Sequence, residues 1–570
     1  MRPLLISCLA LAVATGCSKK SEVVQAELAA DAAAEAEARS LDSITVTGTR
    51  VLEAKAQARR QMSLVPAAPP APPAPLHYGG AYPAIQMAPE APNTENYAEF
   101  EDNGIVRTAE NAVSTFSIDV DTGSYSNVRR MLAGGQLPPK DAVRVEEMIN
   151  YFDYGYAPPA DRSQPFSVRT ELAPSPWHAK KLLMQVGIQG YEVAAADIPA
   201  SNLVFLIDTS GSMASAEKLP LLKDSFRQLV PRLRAQDRVS IVVYAGSAGL
   251  VLPPTPGDRH GEILAALGRL EAGGSTNGGE GIDLAYAMAK QAFIEGGVNR
   301  IVLATDGDFN VGIYDQRALE TKVEKGRESG VALTTLGFGM GNYNDALAEK
   351  LADLGNGNHA YIDNLMEGRK VLVEEMGSTL LTIASDVKIQ VEFNPAQVAE
   401  YRLVGYENRR LAREDFNNDQ VDAGEIGAGH DVTALYEVCL VGMGCESSDP
   451  LRYAAPAAAG AQGQELAFLK LRYKLPGQDR SVLVERPVTR RDVRVEASED
   501  LRFAAAVAAY ADLLRGGGNM NGFTWDQVES LARGASGKDA WGYRGEFLQL
   551  LAQARSLSPA RDPGIAISQD

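Results

Sequence analysis

Residues 203–213 read Leu203-Val204-Phe205-Leu206-Ile207-Asp208-Thr209-Ser210-Gly211-Ser212-Met213, an apolar run that stops on a carboxylate and hydroxyls. A run that is apolar at every position suits a strand buried on both faces, as in a parallel sheet. Its end then lies at the carboxyl edge of the sheet, where open α/β sheets bind their ligands. Two other stretches belong with it. Ile301 to Asp308 (IVLATDGD) is a second apolar strand ending in Asp306-Gly307, and Gly273-Gly274-Ser275-Thr276-Asn277 is a glycine-rich loop ahead of an amphipathic helix. Oxygen donors without sulfur or imidazole suit Mg²⁺, Mn²⁺ or Ca²⁺ rather than zinc or copper.

DxSxS, then a loop threonine, then TDG, each after the right kind of element, resembles the von Willebrand factor type A domain. That family's metal-ion-dependent adhesion site uses five side chains, which match Asp208, Ser210, Ser212, Thr276 and Asp306 here. The resemblance implies a divalent cation, Mg²⁺ first, and an unknown protein ligand that donates a carboxylate to the ion's open position. Periodicity points to the same fold on its own. Strands near Arg238 to Tyr244, Ile301 to Thr305 and Ala332 to Phe338 alternate with helices, which predicts a doubly wound parallel sheet over residues 200–385. In type A domains, ligation is coupled to movement of the last helix. The matching segment is Leu365 to Leu380, expected as one helix leading into a strand at Val387 to Phe393.

The flanks read differently. Phe166 to Val193 and, beyond the type A domain, Val387 to Phe393, Tyr401 to Tyr406, His430 to Val438, Leu466 to Tyr473 and Ser481 to Pro487 are short alternating strands. Pairing the first group with the second inserts the type A sheet (an α/β fold) into a β-sandwich. The expected division is therefore residues 105–162 as an N-terminal helical unit, 163–199 as strands of the sandwich, 386–495 as its remainder and 496–560 as C-terminal helices. Residues 95 onward resemble, in matching order, an uncharacterised family of bacterial lipoproteins that carry a type A domain between their own N- and C-terminal domains.

The amino terminus is an address. Leu4 to Ala14 is apolar but too short for a stable span, and it ends in Ala14-Thr15-Gly16-Cys17. This resembles the lipobox of bacterial lipoproteins, with alanine where leucine is usual. It implies cleavage of residues 1–17 before Cys17, lipidation of that cysteine, and a cell-envelope location on the outer membrane, facing the periplasm or the cell surface. Residues 18–104, with the Pro/Ala tract Pro66 to Pro75, read as a disordered tether. Within it, Ser43 to Arg50 is similar to the segment opening the plug of TonB-dependent receptors, but no barrel strands follow. Cys439 and Cys445 remain in the exported part. They either close a small disulfide loop or stay as inert thiols, and the oxidising compartment favours the disulfide.

Of 570 residues, acids outnumber bases to give a formal charge of −18, which argues against nucleic acid as a partner. Several chemistries fail on their motifs. Asp121-Thr122-Gly123-Ser124 looks like an aspartic protease motif without the second aspartate that such a dyad needs. Asp119-Val120-Asp121 hints at a phosphatase, but Gly123 stands where threonine is expected. Asp415 to Glu425 lacks the EF-hand glycine and final glutamate, since Gln420 and Ile426 occupy those positions. No motif pairs a nucleophile with a base, so the reading is a binding protein and not an enzyme. The alternatives are a metal-dependent hydrolase or a scaffold subunit of a larger envelope complex. A type A partner of a cytosolic AAA+ ATPase is disfavoured by the export signal.

Overall fold

The computed structural model describes residues 94–276, 278–307, 316–447 and 463–558. The signal segment, Cys17, residues 18–93 of the expected tether, Asn277 and Asp308 lie outside them. The chain opens with β1 (Val106–Arg107), β2 (Val113–Ser117), α1 (Gly123–Ala133), α2 (Val145–Asn150), β3 (Phe166–Pro174) and β4 (Leu182–Gly190). Residues 94–103, grouped with the tether by composition, are pinned to the folded body. The Thr94 amide donates to Gly341, and the Asn103 side chain donates to the Gly405 carbonyl at 2.6 Å.

The type A domain follows as β5 (Ser201–Asp208), α3 (Leu219–Leu229), β6 (Arg238–Tyr244), β7 (Ala248–Pro256), α4 (His260–Gly268), α5 (Gly278–Gln291), β8 (Val298–Thr305), α6 (Gln316–Glu328), β9 (Ala332–Phe338), α7 (Asp345–Leu354) and β10 (His359–Ile362). The strands lie in the order β10-β9-β8-β5-β6-β7, all parallel except for the β6–β7 pair. The apolar run that opens the argument is central. Leu203, Phe205 and Ile207 pack on one face with α3 residues Leu222 and Phe226, while Val204 and Leu206 pack on the other with Ile282 and Ala285 of α5. Both faces of β5 are covered, which is why the run has no polar alternation.

Two elements of this domain were not legible beforehand. Pro253, Pro254 and Pro256 argue against a strand, yet β7 contains all three. It is the outermost strand, where a missing N–H faces no neighbour and proline is tolerated. α4, packed beneath it through Ile263 and Leu267, was missed with it. The single helix expected over Leu365 to Leu380 is broken. α8 (Leu365–Arg369) passes into a π-helical stretch at Lys370–Glu374, and α9 (Met376–Leu380) resumes after it.

The remaining elements are β11 (Thr382–Phe393), β12 (Val398–Val404), β13 (Ile426–Gly427), β14 (Asp431–Leu440), β15 (Glu465–Lys474), β16 (Ser481–Thr489), α10 (Glu499–Leu514), α11 (Trp525–Arg533) and α12 (Tyr543–Leu557). One sheet runs β1-β12-β14-β4-β3 and the other β13-β11-β15-β16, with β2 also on β11. Val186 on β4 is opposite Ala434 on β14, so strands from before and after the type A domain pair directly. Side chains of both sheets, among them Ile188, Tyr436, Ile389 and Leu469, share one core. The type A domain is thus inserted into a β-sandwich. Tyr125 and Phe152 from the N-terminal helices lie in another core with Phe503 and Phe547 from α10 and α12. The two helical regions separated by the sequence reading pack as one body. Cys439 and Cys445 are joined as a disulfide, with Cα atoms 5.8 Å apart.

Candidate metal centre

The parallel register of β5 and β8 sets Ile207 opposite Ala304, so both strands end at the same edge and present Asp208 and Asp306 there. Asp208 is fully buried. Its Oδ1 accepts the Ser210 amide at 2.8 Å, which folds the chain into the short 3₁₀ turn Gly211–Ala214. That turn brings the Ser210 and Ser212 hydroxyls to 2.9 Å of each other. The glycine-rich loop is strapped to the same turn. Gly273 N–H donates to Thr209 and Gly211 N–H donates to Gly274. Gly274 has φ +94°, a backbone conformation that suits glycine. Thr276, half-buried, follows in this loop just before α5.

Asp306 is also fully buried. Its Oδ2 accepts a hydrogen bond from Lys218 Nζ at 2.9 Å. Gly307 next to it has φ +83°, and a Cβ there would stand 2.1 Å from the Asn344 nitrogen, so the turn after β8 admits only glycine. Burial raises the Asp208 carboxyl to about 7; the Ser210 hydrogen bonds oppose the rise, and Asp306 adds to it. The second oxygen, Oδ2, is buried with no hydrogen bond of good geometry, although the nearby Tyr244 hydroxyl helps the ionised form. Two carboxylates in a dry site are costly unless a positive charge compensates them. Two carboxylates and three hydroxyls offer only hard oxygen donors, so the residues present fit Mg²⁺, Mn²⁺ or Ca²⁺. A bound ion would supply a Lewis-acidic positive charge and a coordination position for an outside oxygen.

A second acidic group was not foreseen. Buried ligand atoms of Asp119, Glu147 and Glu349 lie within 4.8 Å of one another. Arginines already serve these carboxylates. Arg409 donates to Asp119 at 3.1 Å and to Glu349 at 3.0 Å, and Arg144 donates to Glu147. Arg144 also reaches Asp345 at 2.6 Å. This is an ion-pair network among the N-terminal unit, α7 and the sandwich. It also absorbs the misleading Asp119/Asp121 motif, since Asp121 accepts from His359 N–H and from Arg409. The three acids lie far apart in sequence, so no local motif could have announced them.

Known proteins resemble this chain in the same parts. Residues 378–557 match the family described as "Uncharacterized protein YfbK, C-terminal", residues 203–308 the von Willebrand factor type A domain, and residues 91–185 a family described as von Willebrand factor. The Escherichia coli (strain K12) protein "Uncharacterized protein YfbK" is 51% identical over 476 residues, which is 82% of each chain. Inter-alpha-trypsin inhibitor heavy chain H3 of Pongo abelii is 25% identical over 268 residues, covering 42% of this chain but only 29% of that one. A solved von Willebrand factor type A protein from Catenulispora acidiphila aligns over 69% of this chain and 91% of its own, with 16% identity and a TM-score of 0.39.

Proposed function

Because this chain belongs to the YfbK family and carries a von Willebrand factor type A domain, we propose that it is a membrane-anchored, non-enzymatic binding protein. It recognises a protein ligand through a divalent cation held by Asp208, Ser210, Ser212, Thr276 and Asp306. One observation carries the reading. Two fully buried aspartates, Asp208 and Asp306, emerge from neighbouring strands at one sheet edge, and the turn after Asp208 holds the Ser210 and Ser212 hydroxyls 2.9 Å apart. A cation there offsets the two buried carboxylates and leaves a position for a carboxylate of the partner. Type A domains serve widely in protein–protein recognition, and no covalent step is needed for that role.

A pull-down from a membrane extract tests it. Wild-type protein should capture a partner in Mg²⁺, lose it in EDTA, and fail to capture it as Asp208→Ala. Capture unaffected by both treatments would move recognition away from this site.

Anchoring is proposed at Cys17, on the lipobox-like sequence Ala14 to Cys17. Among the described residues, no helix is long and apolar enough to cross a membrane. Several acyl chains on one cysteine hold a protein where a single chain would not. Cys17→Ser should abolish palmitate labelling and release the protein into the soluble fraction. A variant still retained in the membrane fraction would require another anchor.

A further inference from the structure

Lys218 is a buried lysine at the threshold of α3, 5% exposed, and an ammonium so placed needs compensating partners. It has two. Nζ donates to Asp306 Oδ2 and to Asn342 Oδ1, each at 2.9 Å. The stem is accommodated as deliberately as the head. Gly339, just after β9, has φ +77°, and a Cβ there would stand 2.2 Å from Lys218 Cε and 2.3 Å from Cγ. Any other residue at 339 would be strained and would collide with the lysine. The segment that supplies Ser210 and Ser212 therefore also delivers a positive charge to Asp306.

Resting on the metal reading above, we infer that Lys218 is a built-in positive charge of the metal centre that sets what the bound ion can recognise. Two aspartates alone would cancel the charge of a divalent cation. With Lys218 included, the ion and its surroundings keep a surplus positive charge, which favours an anionic ligand over a neutral one. A carboxylate from a partner is such a ligand. The same charge opposes the incoming ion, so the site gives up ion affinity and gains attraction for anions. Lys218 also takes one lone pair of Asp306 Oδ2, which weakens that oxygen as a donor to the ion. Orienting and charging the site are separate roles, and they make opposite predictions when the lysine is replaced.

The test titrates Mg²⁺ and Mn²⁺ into the full chain by calorimetry, for the wild type, Lys218→Gln and Lys218→Met. Glutamine keeps an N–H donor for Asp306 without the charge, and methionine keeps only the stem. Both variants should bind the ion about tenfold tighter than wild type, since one like charge has been removed from beside it. In the same samples, free glutamate should displace water from bound Mn²⁺ less readily in both variants, as read by water-proton relaxation. Ion affinity that is unchanged in Lys218→Gln, or weaker in Lys218→Met than in wild type, overturns the inference and leaves Lys218 as a hydrogen-bonding support. Failure of all three proteins to bind either ion overturns the metal reading itself and this inference with it. Should Lys218→Met not fold, the glutamine variant decides alone.

Discussion

Asp208→Asn should erase the rise in melting temperature that Mg²⁺ gives the unaltered protein. An ion that binds only the folded state stabilises by RT ln(1 + [L]/Kd), about 2.7 kcal/mol at a hundredfold excess over Kd. For a body of this size that amounts to a shift of a few °C, about 2–4 °C per kcal/mol in domains of 150–250 residues and less in larger ones. The asparagine keeps the acceptor that takes the Ser210 amide but removes the charge that draws the ion. In EDTA the variant should be no less stable than wild type, because it removes a fully buried carboxylate whose charge burial disfavours. Loss of the ion's effect without loss of the fold distinguishes a ligand residue from a packing residue. Equal Mg²⁺ shifts in the two proteins, measured by scanning fluorimetry with and without EDTA, would remove Asp208 from the site.

The convergence of Asp208, Ser210, Ser212 and Asp306 at one sheet edge was readable because each part is local. A strand buried on both faces announces itself in Leu203 to Ile207, and its end must lie at the sheet edge. Thr305-Asp306-Gly307 repeats that logic on the next strand, and Gly307 is required by the close approach of Asn344. The insertion into a sandwich was readable from alternation on both sides of the domain. What escaped was set by position in the fold. β7 is a strand despite Pro253, Pro254 and Pro256 because it lies at an edge, and a sequence does not state which strand is outermost. The break at Lys370–Glu374 interrupts a segment with good helical periodicity, and nothing in its residue types requires a π turn. Lys218 belongs to no sequence motif, and its ammonium meets Asp306, 88 residues away in sequence. The shared core of Phe152 and Phe547 is likewise invisible in either helix alone.

Arg144→Met should be the most destabilising single change in the ion-pair network, costing about 3–5 kcal/mol at neutral pH, because it strands buried carboxylates without their partner. Arg144 is 2% exposed. Burial pulls its guanidinium pKa down, but Asp345, Glu147 and Glu349 around it push it well above the ordinary arginine value. Asp345 is the counterpart. Burial pushes its carboxyl up, yet Arg144 and His359 overrule that and hold it well below the usual carboxylate range. A carboxylate depressed in this way stabilises the fold at pH values above its unfolded value, near 4, and that contribution is lost as pH falls through its folded value. Without Arg144, Asp345 loses its cationic neighbour and its pKa rises, so it takes up a proton as the solution is acidified. The stability gap between wild type and Arg144→Met, read from urea denaturation, should therefore be widest near pH 7 and narrow toward pH 4. A gap that stays constant with pH would assign the loss to missing side-chain volume. Arg144 belongs to the N-terminal unit and Asp345 opens α7 of the type A domain, while Arg409 of the sandwich pairs with Asp119 of the N-terminal unit and Glu349 of α7. A large, pH-dependent loss would show that the type A domain is clamped to its frame by charge. Any force arriving at the proposed ion site would then reach the sandwich through this network as well as through the covalent link into β11.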